Sequence, residues 1–593
     1  MTHSFHIPVL GLAFSVDTAI KVAQYGISSV ISIVDDELIE RMREYYSKLN
    51  NIPFVAVSKK SLDFRAERIR KYLDLVYDLV NKQIESLKRV DWTVDERAKR
   101  YFDLLPDGHP SKSKFRYWST LDHGIEKHLV ANDIRKAIIP GEIDVNIMSK
   151  VDKINSDAAG NILPDIFSDA SAAVRGFANS NLKSSLILSA GMNPRLYAYL
   201  SELDVFFPDA DGNLQKKITL KVSDYRSALI QAKYLAKRGI WISEYRIESG
   251  LNCGGHAFAT EGFLLGPILE EFKNNKEDLL AEIYPLYQDA LKKLGLYSEK
   301  APALKFSIQG GVGTSQEHTF LMNYYGMDAV GWGSPFLLVP EACTVDDTTL
   351  NHLVKASRED FYISPASPLG VPFNNFRNSS AEADRLKRIE QGKPGYPCTK
   401  KYLVSDTTYS EEPICTASRV YMVQKLKDLE AENLNEVSFK LAYSKIVEKQ
   451  CLCEGLAAPA YLKYGLLKPR ERSAVAICPG PNTAYFNKVY SLKEMVDHIY
   501  GRINVLSGIK RSFFFINELE LYVKYLAGYI NENIQSLDVR KKKYIQKFQT
   551  QLLDGISYYR SLQGKFDFAF GESKDKFQEQ LNRFEAELLL FNV

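Results

Sequence analysis

One short segment, Glu248–His256, places two glycines directly before a histidine. Gly254 and Gly255 lack a Cβ, so their backbone can approach a ligand closely. The imidazole of His256 can take up or release a proton near neutral pH, which suits general acid–base catalysis. A histidine that only bonds a backbone carbonyl in a turn would give the same pattern. The segment is therefore a candidate catalytic loop, with a structural turn as the alternative.

Two glycine-rich turns follow later in the chain. Gly310 and Gly311 end an apolar run, and a helix is predicted to begin at about Ser315. Gly333 and Ser334 end the next apolar run. Backbone N–H groups in such turns, together with a helix N-terminus, can bind a phosphate group. A structural turn explains either segment easily, but it explains the pair, with His256 one strand earlier, less well.

These loops need a scaffold that brings them together. Strand–helix alternation repeated eight times predicts a (β/α)8 barrel, in which catalytic residues follow the carboxyl ends of the strands. An open doubly wound sheet is the alternative, although no GxGxxG motif follows the first strand. The strands predicted from apolar runs are Pro8–Phe14, Ser28–Ile33, Ile143–Ser149, Ser185–Ala190, Ile218–Ser223, Trp241–Ile247, Leu304–Gln309 and Ala329–Gly333.

The pattern changes along the chain, which indicates three regions. Residues 1–345 are predicted to form the barrel, with a helical insertion at about 55–140 between the second and third strands. Residues 346–490 form a region of loops and helices that contains most of the cysteines, and Tyr362–Tyr402 within it is rich in loop-forming residues. Residues 491–593 are predicted to be mainly helical.

The amino-acid composition bears on which kinds of molecule this protein could bind. The 593 residues balance 76 basic against 73 acidic side chains, which gives no argument for nucleic acid or an anionic membrane as the main partner. No apolar stretch approaches the ~18 residues of a membrane-spanning helix. The first residues do not resemble a secretory signal, and seven cysteines without one favour a reducing, cytoplasmic location. The sequence leaves the oligomeric state open.

The late cysteines are a second candidate site. Cys451 and Cys453 are close in sequence, and Cys415 and Cys478 would complete four soft ligands for zinc or an iron–sulfur cluster. Cys398 is a further candidate ligand, and the spacings are not those of a standard ferredoxin. Buried free thiols that pack as small apolar groups are the alternative.

Two of these motifs resemble those of a known family. Cys253–His256 looks like the glycine-glycine-histidine segment of nitronate monooxygenases, also called 2-nitropropane dioxygenases. The run from Gly310 through Gly326-Met-Asp-Ala-Val-Gly-Trp-Gly-Ser334 to Glu341-Ala342 is similar to the phosphate signature of that family. The resemblance spans about residues 7–345 and leaves an unusual C-terminal extension. Pro335 stands where the family has arginine, and Asn252-Cys253 stands where it has glutamate-alanine.

The resemblance implies FMN bound in a TIM barrel. Gly310, Gly311, Gly333 and Ser334 would hold the phosphate, and Gly254 and Gly255 would lie near the flavin, with His256 as the acid/base. Independently of the resemblance, a lysine on an inner strand face could stabilise negative charge on the reduced ring; Lys221 and Lys150 are the candidates, and a partly exposed lysine at a strand end is the alternative.

The implied protein is a flavin-dependent oxidoreductase, similar to nitronate monooxygenases, that oxidises or reduces a small carbon acid, with NAD(P)H as a candidate electron donor. The same superfamily includes flavin-dependent enoyl-thioester reductases, which are the first alternative. A non-catalytic barrel that binds a phosphorylated ligand, with the helical region as an interaction platform, is the second.

Overall fold

A closed barrel of eight parallel strands forms the centre of the molecule. The computed structural model describes residues 2–149, 151–157, 160–254, 261–534, 537–562, 564–565 and 574–591. Neighbouring strands pair in sequence order, and β1 closes the barrel by pairing with β8. The predicted (β/α)8 fold is confirmed. The strands are β1 (Phe5–Ile7), β2 (Ser28–Ser32), β3 (Ile143–Asn146), β4 (Ser185–Leu188), β5 (Lys217–Val222), β6 (Ile242–Glu248), β7 (Lys305–Gln309) and β8 (Ala329–Gly331).

Helices cover the outside of the barrel. Because they bury the outer face of each strand, these strands consist largely of buried residues, as parallel strands do. Seven of the strands overlap their predicted counterparts. The barrel helices are Thr18–Val22, Asp36–Leu49, Asp169–Ala178, Pro194–Leu200, Tyr225–Ala236, Leu265–Asn274, Lys276–Lys293 and Ser315–Asn323.

The first strand is the exception, because β1 ends at Ile7 and the predicted strand Pro8–Phe14 lies beyond it. The apolar residues of that run are buried, but they cross the mouth of the barrel instead of joining the sheet. The backbone N–H of Ala13 donates to the carbonyl of Leu456, and the N–H of Leu10 donates to the Ser15 hydroxyl. The apolar pattern correctly indicated burial, but the burial comes from packing across the barrel end, as Val9 does against Val30 and Ile187, and from the later region that contains Leu456.

The predicted insertion between β2 and β3 is helical. Its first helix packs against Asp36–Leu49 and Asp169–Ala178 and so belongs to the outer layer of the barrel. The insertion helices are Phe64–Arg89, Glu96–Leu104, Pro110–Thr120 and Ile125–Ala137.

The region after the barrel folds back over its carboxyl end. It contains an antiparallel pair, β9 (Phe361–Ser364) and β10 (Phe373–Phe376), at the start of the segment predicted to be loop. Ten helices are described after β8: Asp347–Val354, Ser380–Glu390, Arg419–Ala431, Glu436–Val447, Leu452–Gly455, Ala458–Lys463, Leu492–Ile499, Phe514–Asn533, Val539–Ser561 and Lys574–Leu589. None of the helices in the described part of the chain has both the length and the apolar character needed to cross a bilayer.

Candidate active site

Polar side chains gather at the carboxyl ends of the barrel strands. Each belongs to the end of a different strand, so the parallel barrel brings them to one mouth. They are Ser32 on β2, Asn146 on β3, Lys221 on β5, Glu248 on β6 and Gln309 on β7. All except Asn146, which is half-buried, lie out of contact with solvent. A buried polar group at the mouth of a barrel is a candidate for binding or catalysis.

Glu248 is the centre of this group. One of its oxygens, Oε1, accepts hydrogen bonds from Lys221 Nζ at 3.0 Å, from Asn252 Nδ2 at 2.7 Å and from Gln309 Nε2 at 2.7 Å. Lys221 and Glu248 therefore form a buried ion pair on adjacent strands.

The other oxygen of Glu248 is buried and has no hydrogen-bond partner among the residues that the structure describes. Within the same part of the chain, this also holds for Asn252 Oδ1 and the hydroxyl of Ser32. A buried acceptor left without a donor costs about 1–3 kcal/mol, so native structures rarely keep several together without a function. Glu248 and Ser32 line a cavity at the barrel mouth, so their oxygens are placed to accept N–H or O–H groups of a bound molecule.

An apolar cavity of about 160 Å³ opens above Lys221 and Glu248. The strand ends contribute its polar floor, together with Gly254. Its upper wall comes mainly from the region after the barrel and is apolar. The wall residues of that region are Leu369, Val371, Phe373, Tyr402, Leu403, Leu452, Cys453, Leu456 and Cys478.

Ionic contacts fix this wall to the barrel. The hydroxyl of Tyr402 donates to Asp35 at 3.1 Å and to Asp36 at 3.2 Å, and Lys400 forms an ion pair with Asp35. Asp35 also caps the helix Asp36–Leu49 by accepting from the backbone N–H of Glu37 and Leu38. Burial and the two carboxylates raise the pKa of Tyr402, so its hydroxyl keeps its proton and remains a donor. The wall is thus positioned by the start of the helix that follows β2.

The predicted catalytic loop begins at this mouth. Gly254 adopts a φ of +76°, and a Cβ at this position would collide with the backbone of Val9 and Leu10. Its N–H donates to the carbonyl of Cys478 at 3.0 Å. Gly255, His256 and the alternative lysine, Lys150, lie outside the described residues. Lys221, the preferred lysine, lies at the floor of the cavity.

The first predicted phosphate turn is packed against the protein itself. Gly310 and Gly311 have φ values of +112° and +84°, which favour glycine. A Cβ on Gly311 would lie 2.5 Å from Leu251 Cδ1, and one on Gly310 would lie 3.0 Å from Ser249 Cβ. Close packing of the loop after β6 therefore accounts for both glycines without a ligand.

The helix that follows this turn is already capped. The carboxylate of Glu317 accepts from the backbone N–H groups of Gly313 and Thr314, and the Thr314 hydroxyl accepts from the N–H of Glu317. Arg511 binds the other oxygen of Glu317 at 2.6 Å. These donors are therefore committed within the chain. The Thr-x-x-Glu capping box could have been recognised in the sequence.

The second turn, at Gly333 and Ser334, adjoins the same loop. A Cβ on Gly333 would lie 2.8 Å from Cys253 Sγ, and one on Gly480 would lie 2.7 Å from Ser334 Oγ. The Ser334 hydroxyl hydrogen-bonds to the Cys253 thiol, whose pKa is raised by burial. The structure thus brings Gly310, Gly311, Gly333, Ser334 and Gly254 into one neighbourhood, and the assignment of phosphate to them stays a prediction.

The residues at the mouth fit one part of a flavin better than the other. The unpaired oxygen of Glu248 suits the single N–H donor on the polar edge of an isoalloxazine ring, and the ammonium of Lys221 beside it suits a carbonyl oxygen of the same edge. The apolar cavity above them suits its hydrocarbon part. The N–H groups of Gly313 and Thr314 do not fit the phosphate, because Glu317 occupies them.

The predicted metal ligands divide between two clusters. Cys453 and Cys478 pack among apolar side chains near the cavity, whereas Cys415 packs with Cys398 and Cys451. Among the described residues, no three His, Cys, Asp or Glu side chains are placed to share a metal ion. The zinc or iron–sulfur hypothesis gains no support from the structure.

Sequence reasoning found Lys221 but missed Glu248, Asn252, Gln309, Asn146 and Ser32 as members of the site. One signal was available: each is a polar residue at or near the carboxyl end of an apolar strand.

Comparisons with known proteins return only distant similarities. No protein-family model matches the chain, and no curated protein matches it. The enoyl reductase domain of MlnA, from the macrolactin biosynthesis cluster of Bacillus amyloliquefaciens, is 13% identical over 76% of this chain and 94% of that one, with a TM-score of 0.34. FabK from Thermotoga maritima is 13% identical over 69% and 85%, with a TM-score of 0.29. A nitroalkane oxidase from Streptomyces ansochromogenes is 10% identical over 84% and 94%, with a TM-score of 0.33.

These values are too low to carry a functional argument, so the function must be argued from the residues of the site itself.

Proposed function

We propose that this protein is a flavin-dependent oxidoreductase whose reaction takes place at the carboxyl end of the barrel. The observation that carries the proposal is the Lys221–Glu248 ion pair at the floor of an apolar cavity, with one carboxylate oxygen of Glu248 unpaired among the described residues. The residue types and their place in the barrel match what binding of a partly polar, largely apolar cofactor requires. FMN, when bound, supplies exchange of a hydride or of single electrons.

Each floor residue has a role that its contacts support. The Lys221 ammonium provides a fixed positive charge beside the cofactor, where reduction would add negative charge. Glu248 holds that ammonium in place and offers its free oxygen to a donor on the ligand. Asn252 and Gln309 donate to Glu248 from behind the floor and so fix the position of its carboxylate. The group positions the ligand and balances its charge.

His256 is proposed as the acid/base. It follows Gly254, which lines the cavity, by two residues. An imidazole in this part of the loop would move a proton to or from a substrate carbon held above the floor. His256→Ala should then slow the chemical step about 10²–10⁴-fold while flavin stays bound.

The cavity wall favours one substrate class over another. Its side chains above the floor are almost all aliphatic or aromatic, which suits a substrate with a hydrocarbon chain. We therefore place reduction of an enoyl thioester, with NAD(P)H as electron donor, ahead of oxidation of a small nitronate. The nitronate reaction stays the alternative within the same site, and a barrel that binds a ligand without catalysis is the alternative outside enzymes.

The test starts with the purified full-length protein. We expect flavin absorption bands after reconstitution with FMN, and bleaching of those bands by NADPH without oxygen. Reoxidation by a medium-chain 2-enoyl thioester of N-acetylcysteamine would support the reductase. Reduction of the oxidised flavin by a propyl nitronate instead of NADPH, followed by reoxidation with oxygen, would replace the reductase with the monooxygenase. Failure to bind FMN would overturn the flavin assignment.

Two lysines make a matched pair of variants. Lys221→Met removes the charge at the floor and should weaken FMN binding or lower the rate of its reduction. Lys237→Met removes an exposed lysine at the end of the helix that follows the same strand and should change neither. Equal behaviour of the two variants would contradict the role given to Lys221.

A further inference from the structure

Two cysteines in the region after the barrel touch each other. The thiols of Cys398 and Cys415 are hydrogen-bonded, and both are free cysteines. They pack with Tyr396, Ala417 and Cys451 in a small cluster of their own. The candidate active site described above uses neither of these two thiols.

The backbone near the two cysteines is tied at one point. The N–H of Tyr396 donates to the carbonyl of Ala417 at 3.1 Å, and the N–H of Arg419 donates to the carbonyl of Tyr396 at 2.9 Å. These bonds form a parallel bridge between Tyr396 and Ser418. Because Cys398 follows the bridge and Cys415 precedes it, the bridge does not set the two cysteines opposite each other. A turn in which the N–H of Ser418 donates to the carbonyl of Cys415 at 2.9 Å lies beside it, and the two thiols meet through side-chain packing in their shared cluster.

The two thiols differ in their surroundings. Cys398 is partly exposed, and its sulfur accepts from the Cys415 thiol and from the backbone N–H of Lys401. Both contacts stabilise a thiolate and lower the pKa of Cys398. Cys415 is buried, and its place next to that sulfur raises its own pKa. Because the thiolate is the nucleophile in thiol chemistry, the exposed member is the one prepared to react.

We propose that Cys398 and Cys415 form a reversible dithiol–disulfide site that reacts with low-molecular-weight disulfides such as oxidised glutathione. The Cys398 thiolate attacks one sulfur of glutathione disulfide, which forms a mixed disulfide and releases one glutathione thiolate. Cys415 then loses its proton and attacks Cys398 Sγ, which forms the protein disulfide and releases the second glutathione. Two protein thiols are oxidised, and one glutathione disulfide is reduced to two glutathione thiols.

The site would act on the cavity wall. The segment between the two cysteines carries Lys400, Tyr402 and Leu403, of which the last two line the cavity and the first two bind Asp35. A disulfide would close this segment into a covalent loop at the edge of the cavity.

The experiment counts thiols in the full-length protein. Protein freed of reductant is incubated with oxidised glutathione. It is then denatured in the presence of a maleimide, which alkylates every remaining free thiol, and the number of maleimides attached is read from its intact mass. We expect two fewer maleimides than on the reduced protein, and peptide mapping should join Cys398 to Cys415. Cys415→Ser should instead stop at one glutathione on Cys398. Cys343→Ser removes a buried cysteine elsewhere and should form the same disulfide as wild type.

Two results would overturn the proposal. One is a wild-type protein in which all seven cysteines still take maleimide after glutathione treatment. The other is a disulfide that joins different cysteines, such as Cys451 and Cys453. A second measurement does not depend on variants that fold: brief labelling of native wild-type protein with iodoacetamide at pH 7 should modify Cys398 first. Preferential labelling of any other cysteine would also count against the assignment.

Discussion

Glu518, on the helix Phe514–Asn533, accepts a hydrogen bond of 2.7 Å from the hydroxyl of Ser249, the first residue after β6. Its other carboxylate oxygen accepts from the backbone N–H of Leu265 at 2.8 Å. Ser249 and Leu265 are the two ends of the stretch that carries the predicted catalytic loop. One buried carboxylate from the C-terminal helices therefore holds both ends of that stretch.

This carboxylate should make stability depend on pH. Burial, the largest effect, raises the pKa of Glu518 to about 7, above its unfolded value. A folded pKa that is raised means that the folded state keeps the proton longer, so stability should fall as pH rises from about 4.5 to about 7. The full effect is on the order of 3 kcal/mol. Glu518→Gln, which cannot ionise, should remove this part of the pH dependence.

The measurement is the free energy of unfolding in urea at several pH values between 5 and 8. Glu532→Gln provides the control, because Glu532 lies on the same helix and is exposed. An equal pH slope in wild type and Glu518→Gln would show that Glu518 does not titrate in this range.

The ion pair at the floor of the cavity predicts a non-additive pair of variants. Lys221→Met leaves Glu248 buried beside an apolar side chain, and breaking a buried pair in this way costs about 3–5 kcal/mol. Replacing both partners, as in Lys221→Met with Glu248→Leu, removes the unpaired charge and should cost less than the sum of the single variants. Chemical denaturation of the four proteins gives the coupling energy, and simple additivity would contradict it.

Two glycines distinguish packing from phosphate binding at the turn after β7. Gly311→Ala combines a left-handed backbone with a collision against Leu251 and should destabilise the protein by about 2–4 kcal/mol. Gly326→Ala has a similar φ, +65°, but no atom near its Cβ, so it should cost only about 1 kcal/mol.

Thermal unfolding without FMN compares these two glycine variants. The packing explanation would be wrong if both variants lost the same stability and only Gly311→Ala lost affinity for FMN. Gly311 would then be required for ligand binding.

Arg511 should contribute strongly to the free energy of unfolding, although it lies outside the barrel. Its guanidinium binds Glu317 at 2.6 Å, the carbonyl of Gly311 at 2.6 Å and Asn482 at 3.0 Å, and both charges of the pair are buried. Arg511→Met would leave the Glu317 carboxylate buried without its cation, at a cost of about 3–5 kcal/mol. Arg583→Met, on the last described helix, is the control for loss of an arginine. A melting temperature of Arg511→Met close to that of wild type would contradict the predicted loss of stability.

The fold was predictable because parallel strands covered on both faces appear as apolar runs, and β4, with the sequence Ser-Leu-Ile-Leu, is a clear example. Lys221 could be placed on an inner strand face for the same reason. Its partner could not, because which residues of neighbouring strands lie side by side depends on the register of the closed barrel. The contact between Cys398 and Cys415 was equally out of reach, since it depends on side-chain packing between loops with no periodic pattern.

The contacts of Arg511 limit which parts of this protein can be separated by recombination of its gene. A gene fragment that stops near residue 345 would encode all eight strands, yet it would lack the cation for Glu317 and the carboxylate that holds Ser249 and Leu265. The barrel strands of this chain therefore depend on the C-terminal helices for their stability. A gene that encodes one part must also encode the other.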